Sequence, residues 1–244
     1  YRVVPDAVVR PENEDDIKSL LRHGNDTKTP ITFRTAGTSL SGQAVGSGIV
    51  VETVRDWKKW TILDNGEAIR LQPGVIGGHA NLFLSNYNRK IGPDPASINS
   101  CMIGGIIANN SSGMVCGVKN NAYHTLRSIR FITSDGKTYD TSQSEDYNRF
   151  LVEQNSLADG LQQCKRNVID NPDLSSKIRE KYKIKNTMGY SVNALLDYEH
   201  PLDIFAHLIV GSEGTLGFIS EVVLDTVPDP PLKSTGLILF NDIM

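Results

Sequence analysis

Three loops rich in glycine and small polar residues carry the features that could bind an anionic ligand. The first loop, residues 34–43, directly follows an apolar segment and contains Gly37 and Gly42. Glycine permits backbone conformations that other residues disfavour, and successive backbone N–H groups in such a loop form a nest for an anion. The glycine spacing resembles that of a Walker phosphate loop, but Gln43 stands where that loop needs a lysine. The first loop therefore predicts a site for a bound diphosphate, with a flexible surface loop as the alternative.

The second loop, residues 91–117, is long and contains few bulky side chains. Pro93 and Asp94 lie near its start, and glycine, serine and asparagine are concentrated in residues 104–113. Ordering such a segment costs conformational entropy, while its small side chains bury little apolar surface. We therefore expect a flat ligand to fill the space beside it. An ordered structural loop is the alternative.

The third loop, residues 211–217, lies between two apolar segments. Its glycines are Gly211, Gly214 and Gly217, a spacing that differs from the G-x-G-x-x-G of Rossmann dinucleotide sites. A nicotinamide Rossmann site is therefore not predicted. The alternative to a ligand-binding loop is a tight glycine turn.

The composition narrows the class of protein. The 244 residues carry a formal net charge of −3, with 39% hydrophobic and 22% charged residues. These values are typical of a soluble globular domain, and the charge gives no field that would gather nucleic acid. The cysteines (Cys101, Cys116 and Cys164) form no C-x-x-C pair, and the histidines form no H-x-x-x-H pair. Neither a disulfide framework nor a metal site is therefore predicted, and no nucleic-acid partner is expected.

Strands and helices must position the loops, and the pattern predicts both. Apolar runs predict short strands at 3–9 (broken by Pro5), 31–34, 49–53, 68–72, 207–210 and 218–227. Asp135-Gly136 predicts a hairpin between 128–133 and 137–139. Because strands and helices do not alternate regularly, the predicted fold class is α+β.

The helices are predicted mainly from end signals and apolar periodicity. Asn13 is predicted to cap a helix that Gly24 ends, and a second helix is predicted at 75–89. Residues 145–200 are mostly helical by pattern. Pro228, Pro230 and Pro231 then predict a boundary, and residues 237–240 the first strand of another unit.

Together, in this order and spacing, the motifs resemble the PCMH-type FAD-binding domain of the vanillyl-alcohol oxidase family. Within it, the chain is similar to the branch of the glycolate oxidase D-subunit and D-lactate dehydrogenase. The likeness covers about residues 2–227. It rests on five motifs: Pro5, Val8 and Pro11; Gly37-Thr38-Ser39-Leu40-Ser41-Gly42-Gln43; Pro93-Asp94-Pro95; Ile103-Gly104-Gly105 with Asn109; and Gly211-Ser212-Glu213-Gly214-Thr215-Leu216-Gly217.

The resemblance implies an α+β domain of two lobes, roughly residues 1–55 and 56–229, with FAD between them. Residues 230–244 would begin a truncated substrate or cap domain. The residues implied to bind FAD come from the three loops and the strand after the third: Arg34, Thr35, Ala36, Gly37, Thr38, Ser39, Leu40, Gly42, Gln43, Pro93, Asp94, Ile103, Gly104, Gly105, Asn109, Ser111, Ser112, Gly113, Glu213, Gly214, Thr215, Gly217 and Ile219.

Some positions depart from the pattern of this family. Thr38 or Ser39 stands where some relatives carry a histidine that attaches the flavin covalently, so the resemblance implies non-covalent FAD. Thr35 and Ala36 stand where many relatives have glycine, which predicts a slightly different shape for the first loop. Cys101 is interpreted as a small packing residue rather than a reactive thiol.

The resemblance implies an enzyme that oxidises a D-2-hydroxy acid, such as D-lactate or glycolate, to the 2-oxo acid. The alternatives are a D-2-hydroxyglutarate dehydrogenase, a UDP-N-acetylenolpyruvoylglucosamine reductase on the same scaffold, and a non-redox nucleotide-binding module. The implied partners are the hydroxy acid, an electron acceptor (a quinone, a cytochrome, or an iron–sulfur protein or domain) and a cap domain in cis that holds the catalytic groups. Cytoplasmic localisation is expected, with peripheral association at the membrane as the alternative.

Overall fold

The computed structural model describes residues 2–234, 236–240 and 242, which form a mixed arrangement of helices and sheets. The strands are β1 (Ala7–Val9), β2 (Ile31–Arg34), β3 (Ile49–Glu52), β4 (Trp60–Leu63), β5 (Ala68–Leu71), β6 (Arg89–Ile91), β7 (Leu126–Ile132), β8 (Thr138–Asp140) and β9 (Phe218–Pro228). The helices are α1 (Glu14–Thr27), α2 (Gly77–Leu84), α3 (Ile103–Asn109), α4 (Ala122–Thr125), α5 (Ser144–Glu153), α6 (Asn155–Ile169), α7 (Pro172–Lys181), α8 (Ala194–Asp197) and α9 (Pro201–Ile209).

The strands form two separate sheets. The smaller sheet is parallel, in the order β1-β3-β2. The larger sheet is antiparallel, in the order β4-β5-β9-β7-β8, and β6 pairs with the far end of β9. The 11-residue β9 is therefore the central strand. Parallel and antiparallel sheets together with helices confirm the predicted α+β class.

Aromatic packing joins the two sheets. Trp57 and Phe33 each place their ring centroid 5.0 Å from that of Phe218, the first residue of β9. Phe218 and Ile132 also share a buried cluster with Ile17 of α1. This contact sets the end of β2 beside the start of β9. The predicted boundaries of the two lobes and of the domain at residue 229 stay predictions.

Helix α1 shows how local signals act, and where one was misread. The side chain of Asn13 accepts hydrogen bonds from the backbone N–H of Asp15 and Asp16, at 2.9 and 3.1 Å, as an N-cap does. The predicted end at Gly24 is wrong, because the helix continues to Thr27. A Cβ at Gly24 would lie 2.7 Å from Cδ1 of Ile31, so this glycine allows α1 to pack closely on β2.

Several strand predictions are confirmed: β1, β2, β3, β5 and β9 all form, as does the β7–β8 hairpin around Gly136. The predicted strand at 207–210 is wrong, because residues 207–209 are the last of α9 and Val210 is its C-cap. Short apolar runs do not distinguish a buried strand from a buried helix, and α9 is buried along most of its length. Strand β4 was missed. Residues 237–240 form no strand and are exposed.

Two further segments differ from their predictions. The predicted helix at 75–89 is divided into α2, a 3₁₀ turn and β6, and Asn88, with a left-handed backbone (φ 52°), ends the 3₁₀ turn before β6. The second loop contains α3, whose small residues hid its helical pattern. No helix among the described residues has the length and apolar character needed to cross a bilayer.

The ion pair between Glu14 and Arg130 links α1 to β7. Nε and Nη2 of Arg130 donate to the two carboxylate oxygens of Glu14, at 2.7 and 2.8 Å. Burial opposes ionisation of Glu14, but the hydrogen bonds and charge of Arg130 outweigh it and hold the pKa of Glu14 below its ordinary value of 4.5. A pair of this kind contributes stability while the carboxylate is ionised.

Replacing Arg130 with methionine is expected to lower the free energy of unfolding by about 1 kcal/mol at pH 7, because a bidentate ion pair is lost while the aliphatic stem remains. A carboxyl whose pKa is lower in the folded state stabilises the fold above its unfolded pKa. The deficit should therefore be full above pH 4.5 and shrink as the pH falls through the folded-state pKa of Glu14.

Urea denaturation over a pH series measures both effects. Arg55→Met is the control, since Arg55 pairs with Glu12 and Asp56 on the surface. It should change stability little. An equal loss in the two variants, or a deficit that is independent of pH, would contradict the assignment.

Candidate functional site

A cleft with a volume of about 410 Å³ lies where the end of β2 meets the start of β9. All three loops line it. The first loop contributes Arg34, Thr35, Gly37, Thr38, Ser39, Leu40, Ser41 and Gln43; the second contributes Gly104, Gly105, Asn109, Ser111 and Ser112; the third contributes Glu213, Gly214 and Gly217, followed by Ile219. The structure thus brings together 16 of the 23 residues predicted to bind the cofactor. Ser41 also lines the cleft, although it was not in the predicted set.

The first loop presents its backbone to this cleft. Among the described residues we find no protein group that accepts a hydrogen bond from a backbone N–H of residues 35–44. Gly37 adopts a left-handed backbone (φ +67°), and a Cβ there would lie 2.7 Å from Nε of Arg34. The guanidinium therefore packs across Gly37, which a side chain at that position would prevent. Unpaired amides and a nearby cation suit an anionic group.

Small residues of the second loop let α3 approach the first loop. A Cβ at Gly104 would lie 2.7 Å from Cβ of Pro73 and 3.1 Å from Cγ2 of Thr35, and one at Gly105 would lie 3.2 Å from Oγ1 of Thr35. The N–H of Gly104 donates to the carbonyl of Pro73 at 2.9 Å. Close packing is thus one physical reason for the small residues here.

The third loop is fixed to the end of α3. Backbone N–H groups of Gly211 and Glu213 donate to the carbonyls of Ile107 and Ala108, at 3.2 and 2.8 Å. The side-chain amide of Asn109 donates to the carboxylate of Glu213, and Oγ of Ser111 donates to Oδ1 of Asn109 at 2.8 Å. These bonds make the second and third loops one wall of the cleft.

The other predicted residues lie behind the lining: Ala36, Gly42, Pro93, Asp94, Ile103, Gly113 and Thr215. Ile103 is fully buried in the core, and Oγ1 of Thr215 donates to the carbonyl of Ser212 at 2.6 Å. A Cβ at Gly113 would lie 1.9 Å from the carbonyl oxygen of Asp94. These contacts support the loops, and the cofactor contacts implied for these residues stay predictions.

Asp94 organises the far end of the second loop. Its carboxylate accepts hydrogen bonds from the backbone N–H of Gly113, Val115 and Cys116, at 2.8, 2.8 and 3.2 Å. Burial opposes ionisation, but these bonds outweigh it and hold the pKa of Asp94 below its usual range. Asp94 therefore acts as an anionic clamp on the loop.

The cleft also contains residues that were not among those predicted to bind the cofactor. They include Pro73, Pro95, Ser97, Met102, Ala108, Lys185 and Thr187. Lys185 and Thr187 lie in a segment that was predicted only as part of a mostly helical region, and no local motif marks them. Cys101 also lines the cleft, and burial raises the pKa of its thiol, which favours the packing interpretation.

The chemistry available in the cleft is that of binding rather than proton transfer. In the described part of the chain, the charged residues that line it are Arg34, Lys185 and Glu213, and no histidine is among the lining residues. Glu213 is engaged by Asn109. Across the same residues we find no group of three or more histidine, cysteine, aspartate or glutamate side chains placed to hold a metal ion.

Curated relatives match this chain along most of its length. They include the D-2-hydroxyglutarate dehydrogenase of Pantoea ananatis (25% identical, covering 96% of this chain and 23% of the relative). The glycolate oxidase subunit GlcD of Bacillus subtilis is 28% identical over 100% of this chain and 41% of the relative. The D-lactate dehydrogenase of Archaeoglobus fulgidus is 28% identical over 91% of this chain and 38% of the relative. The chain therefore spans well under half the length of these relatives.

Solved structures share the fold. The 6-hydroxy-D-nicotine oxidase of Arthrobacter nicotinovorans superposes with a TM-score of 0.60 at 16% identity, covering 93% of this chain and 38% of that one. The sequence model of the family FAD_binding_4, described as an FAD binding domain, matches residues 5–142, more than half of the chain and including the first two loops. The chain belongs to the FAD_binding_4 family of FAD binding domains.

Proposed function

We propose that this chain forms the FAD site of an enzyme that oxidises a D-2-hydroxy acid, such as D-lactate or glycolate, to the 2-oxo acid. The observation that carries the proposal is the convergence of all three loops on one cleft. The curated names of similar proteins, a glycolate oxidase subunit and a D-lactate dehydrogenase, give the substrate class.

The residues of the cleft fit FAD. The unpaired amides of residues 35–44, with the hydroxyls of Thr38 and Ser41, form a donor set for the diphosphate. Oγ of Ser112 is buried without a hydrogen-bond partner, so it has a free donor for the cofactor. Phe33, Phe218 and Ile219 add apolar surface for the flat rings. When bound, FAD supplies the two-electron redox chemistry, and this chain supplies position and electrostatics.

The proposal extends to how the cofactor is held and what completes the enzyme. FAD is bound non-covalently, because Thr38 and Ser39 offer no imidazole for attachment. Substrate is held, and its hydroxyl proton removed, by a cap domain in cis, and a quinone, a cytochrome or an iron–sulfur protein or domain takes the electrons. The enzyme acts in the cytoplasm, with peripheral membrane association as the alternative.

D-2-hydroxyglutarate is the second candidate substrate. It is favoured by the similarity to the Pantoea ananatis enzyme over 96% of the chain, and Ser100 to Gly105 suit that branch as well. The second carboxylate of this substrate would need a cation of its own. The cations among the described lining residues, Arg34 and Lys185, are not specific to such a carboxylate.

Turnover of the complete polypeptide with a panel of D-2-hydroxy acids and an artificial dye acceptor tests the proposal. D-lactate, glycolate and D-2-hydroxyglutarate are compared by kcat/KM, and the L enantiomers of lactate and hydroxyglutarate serve as matched controls. Glycolate is achiral and has no such control. We expect at least one of the three acids to be oxidised. Failure with every member of the panel would overturn the proposal.

A further inference from the structure

We infer that residues 183–190 are a fourth cofactor-binding segment, and that Lys185 supplies a cation for the FAD diphosphate. The segment follows α7 and lies outside the three loops described above. Two of its residues, Lys185 and Thr187, line the cleft. The inference rests on the FAD site itself and is independent of which substrate is oxidised.

Hydrogen bonds at several points hold the segment against both neighbouring loops. Nζ of Lys185 donates to the carbonyls of Ser112 and Gly113 in the second loop, at 2.8 and 3.1 Å. At the end of the segment, the hydroxyl of Tyr190 lies 2.8 Å from Oγ1 of Thr215 in the third loop. The segment therefore bridges the two loops that form one wall of the cleft.

Tyr182 fixes the base of the segment. Its hydroxyl donates to the carbonyl of Tyr190 at 2.9 Å and accepts from the N–H of Val192 at 3.2 Å. These bonds hold the two ends of the segment together at Tyr182, and Lys185 and Thr187 lie between them. This arrangement places the two side chains at the cleft without a helix or strand to carry them.

The charges of the cleft indicate what Lys185 would bind. The formal charges of Arg34 and Glu213 sum to zero. With Lys185, the described residues that line the cleft therefore carry a net charge of +1. The carboxylate of Glu213 is turned to Asn109. At neutral pH the diphosphate carries the formal charge of oxidised FAD. A cation that lines the cleft therefore acts on that group rather than on the neutral rings.

The test is FAD affinity of the apoprotein of the complete polypeptide, measured by quenching of flavin fluorescence at low and high salt. Lys185→Gln should raise the Kd for FAD about fivefold at low salt, as expected for loss of one partly exposed charge interaction. The difference should shrink at high salt, where screening is strong. Riboflavin, which lacks the diphosphate, should bind the variant and the parent alike.

Lys183→Gln is the matched control, because Lys183 lies two residues away and pairs with Glu180 on the surface. An unchanged FAD affinity for Lys185→Gln would overturn the inference. So would an equal loss at both salt concentrations, an equal loss for riboflavin, or an equal loss for Lys183→Gln.

A second measurement needs no variant and keeps the inference testable if Lys185→Gln fails to fold. The parent protein is acetylated with and without FAD, and the modification of each lysine is read by mass spectrometry. FAD should protect Lys185 and leave Lys183 equally reactive. Equal acetylation of Lys185 in both states would overturn the inference.

Discussion

Gly214→Val is expected to lower the affinity for FAD by about 100-fold or more while leaving the protein folded. Gly214 lines the cleft with a left-handed backbone (φ +79°), and a Cβ built there meets no protein atom within 4 Å. The fold itself therefore has room for the side chain, and the space that valine would take lies beside the proposed cofactor. Valine at positive φ also distorts the third loop, at a cost of about 1–2 kcal/mol.

Gly136→Val separates backbone strain from the effect on the cofactor. Gly136 has nearly the same φ (+81°), and the nearest atom to a Cβ there is 3.8 Å away, on Lys18. It lies in the β7–β8 hairpin, away from the cleft. Both variants should lose similar stability in thermal denaturation, but only Gly214→Val should lose FAD in an equilibrium titration. Unchanged affinity in Gly214→Val, or an equal loss in Gly136→Val, would contradict the assignment of the third loop.

Residues 1–244 produced alone are expected to retain FAD but to oxidise no D-2-hydroxy acid. Oxidation needs a positioned base near the substrate hydroxyl and a clamp for its carboxylate. In the described part of the chain, no histidine lines the cleft, and the carboxylate of Glu213 is engaged by Asn109. His207 is buried inside α9, where burial lowers its pKa, and its Nδ1 lies 2.9 Å from the carbonyl of Asp203.

The comparison is dye reduction by FAD-loaded residues 1–244 and by the complete polypeptide, with D-lactate as substrate. The isolated segment should show no turnover above that of free flavin. A rate of about one tenth of that of the complete polypeptide or more, a barrier difference under ~1.4 kcal/mol, would place the catalytic groups within these residues.

Local signals were sufficient for the parts of the fold that depend on a few neighbouring residues. The cap at Asn13, the hairpin at Asp135-Gly136 and the long strand β9 follow from side-chain chemistry, turn preference and apolar periodicity. By contrast, α3 escaped prediction because helical periodicity is weak where most side chains are small. The run at 207–210 was misread because burial on nearly all sides removes the pattern that distinguishes helix from strand.

The loops of the site were predictable, but their supporting contacts were not. Glycine spacing indicated where backbone would approach an anion. Lys185 and Ser112 are 73 residues apart, and Asn109 and Glu213 are 104 apart. Contacts between such distant residues depend on how β2, α3 and β9 meet, which no local pattern specifies. The same limit applies to Asp94, whose carboxylate holds the second loop through backbone N–H groups about twenty residues further along the chain, while its cofactor contact stays a prediction.

Anaerobic reduction of the bound flavin shows whether a hydroxy acid gives its electrons to FAD in this site, because the measurement needs no electron acceptor. The complete polypeptide with FAD is mixed with D-lactate, glycolate, D-2-hydroxyglutarate or NADPH, and the flavin absorbance is followed. We expect rapid bleaching by at least one of the three hydroxy acids and none by NADPH alone. Bleaching by NADPH without any hydroxy acid, or no bleaching by any of the acids, would contradict it.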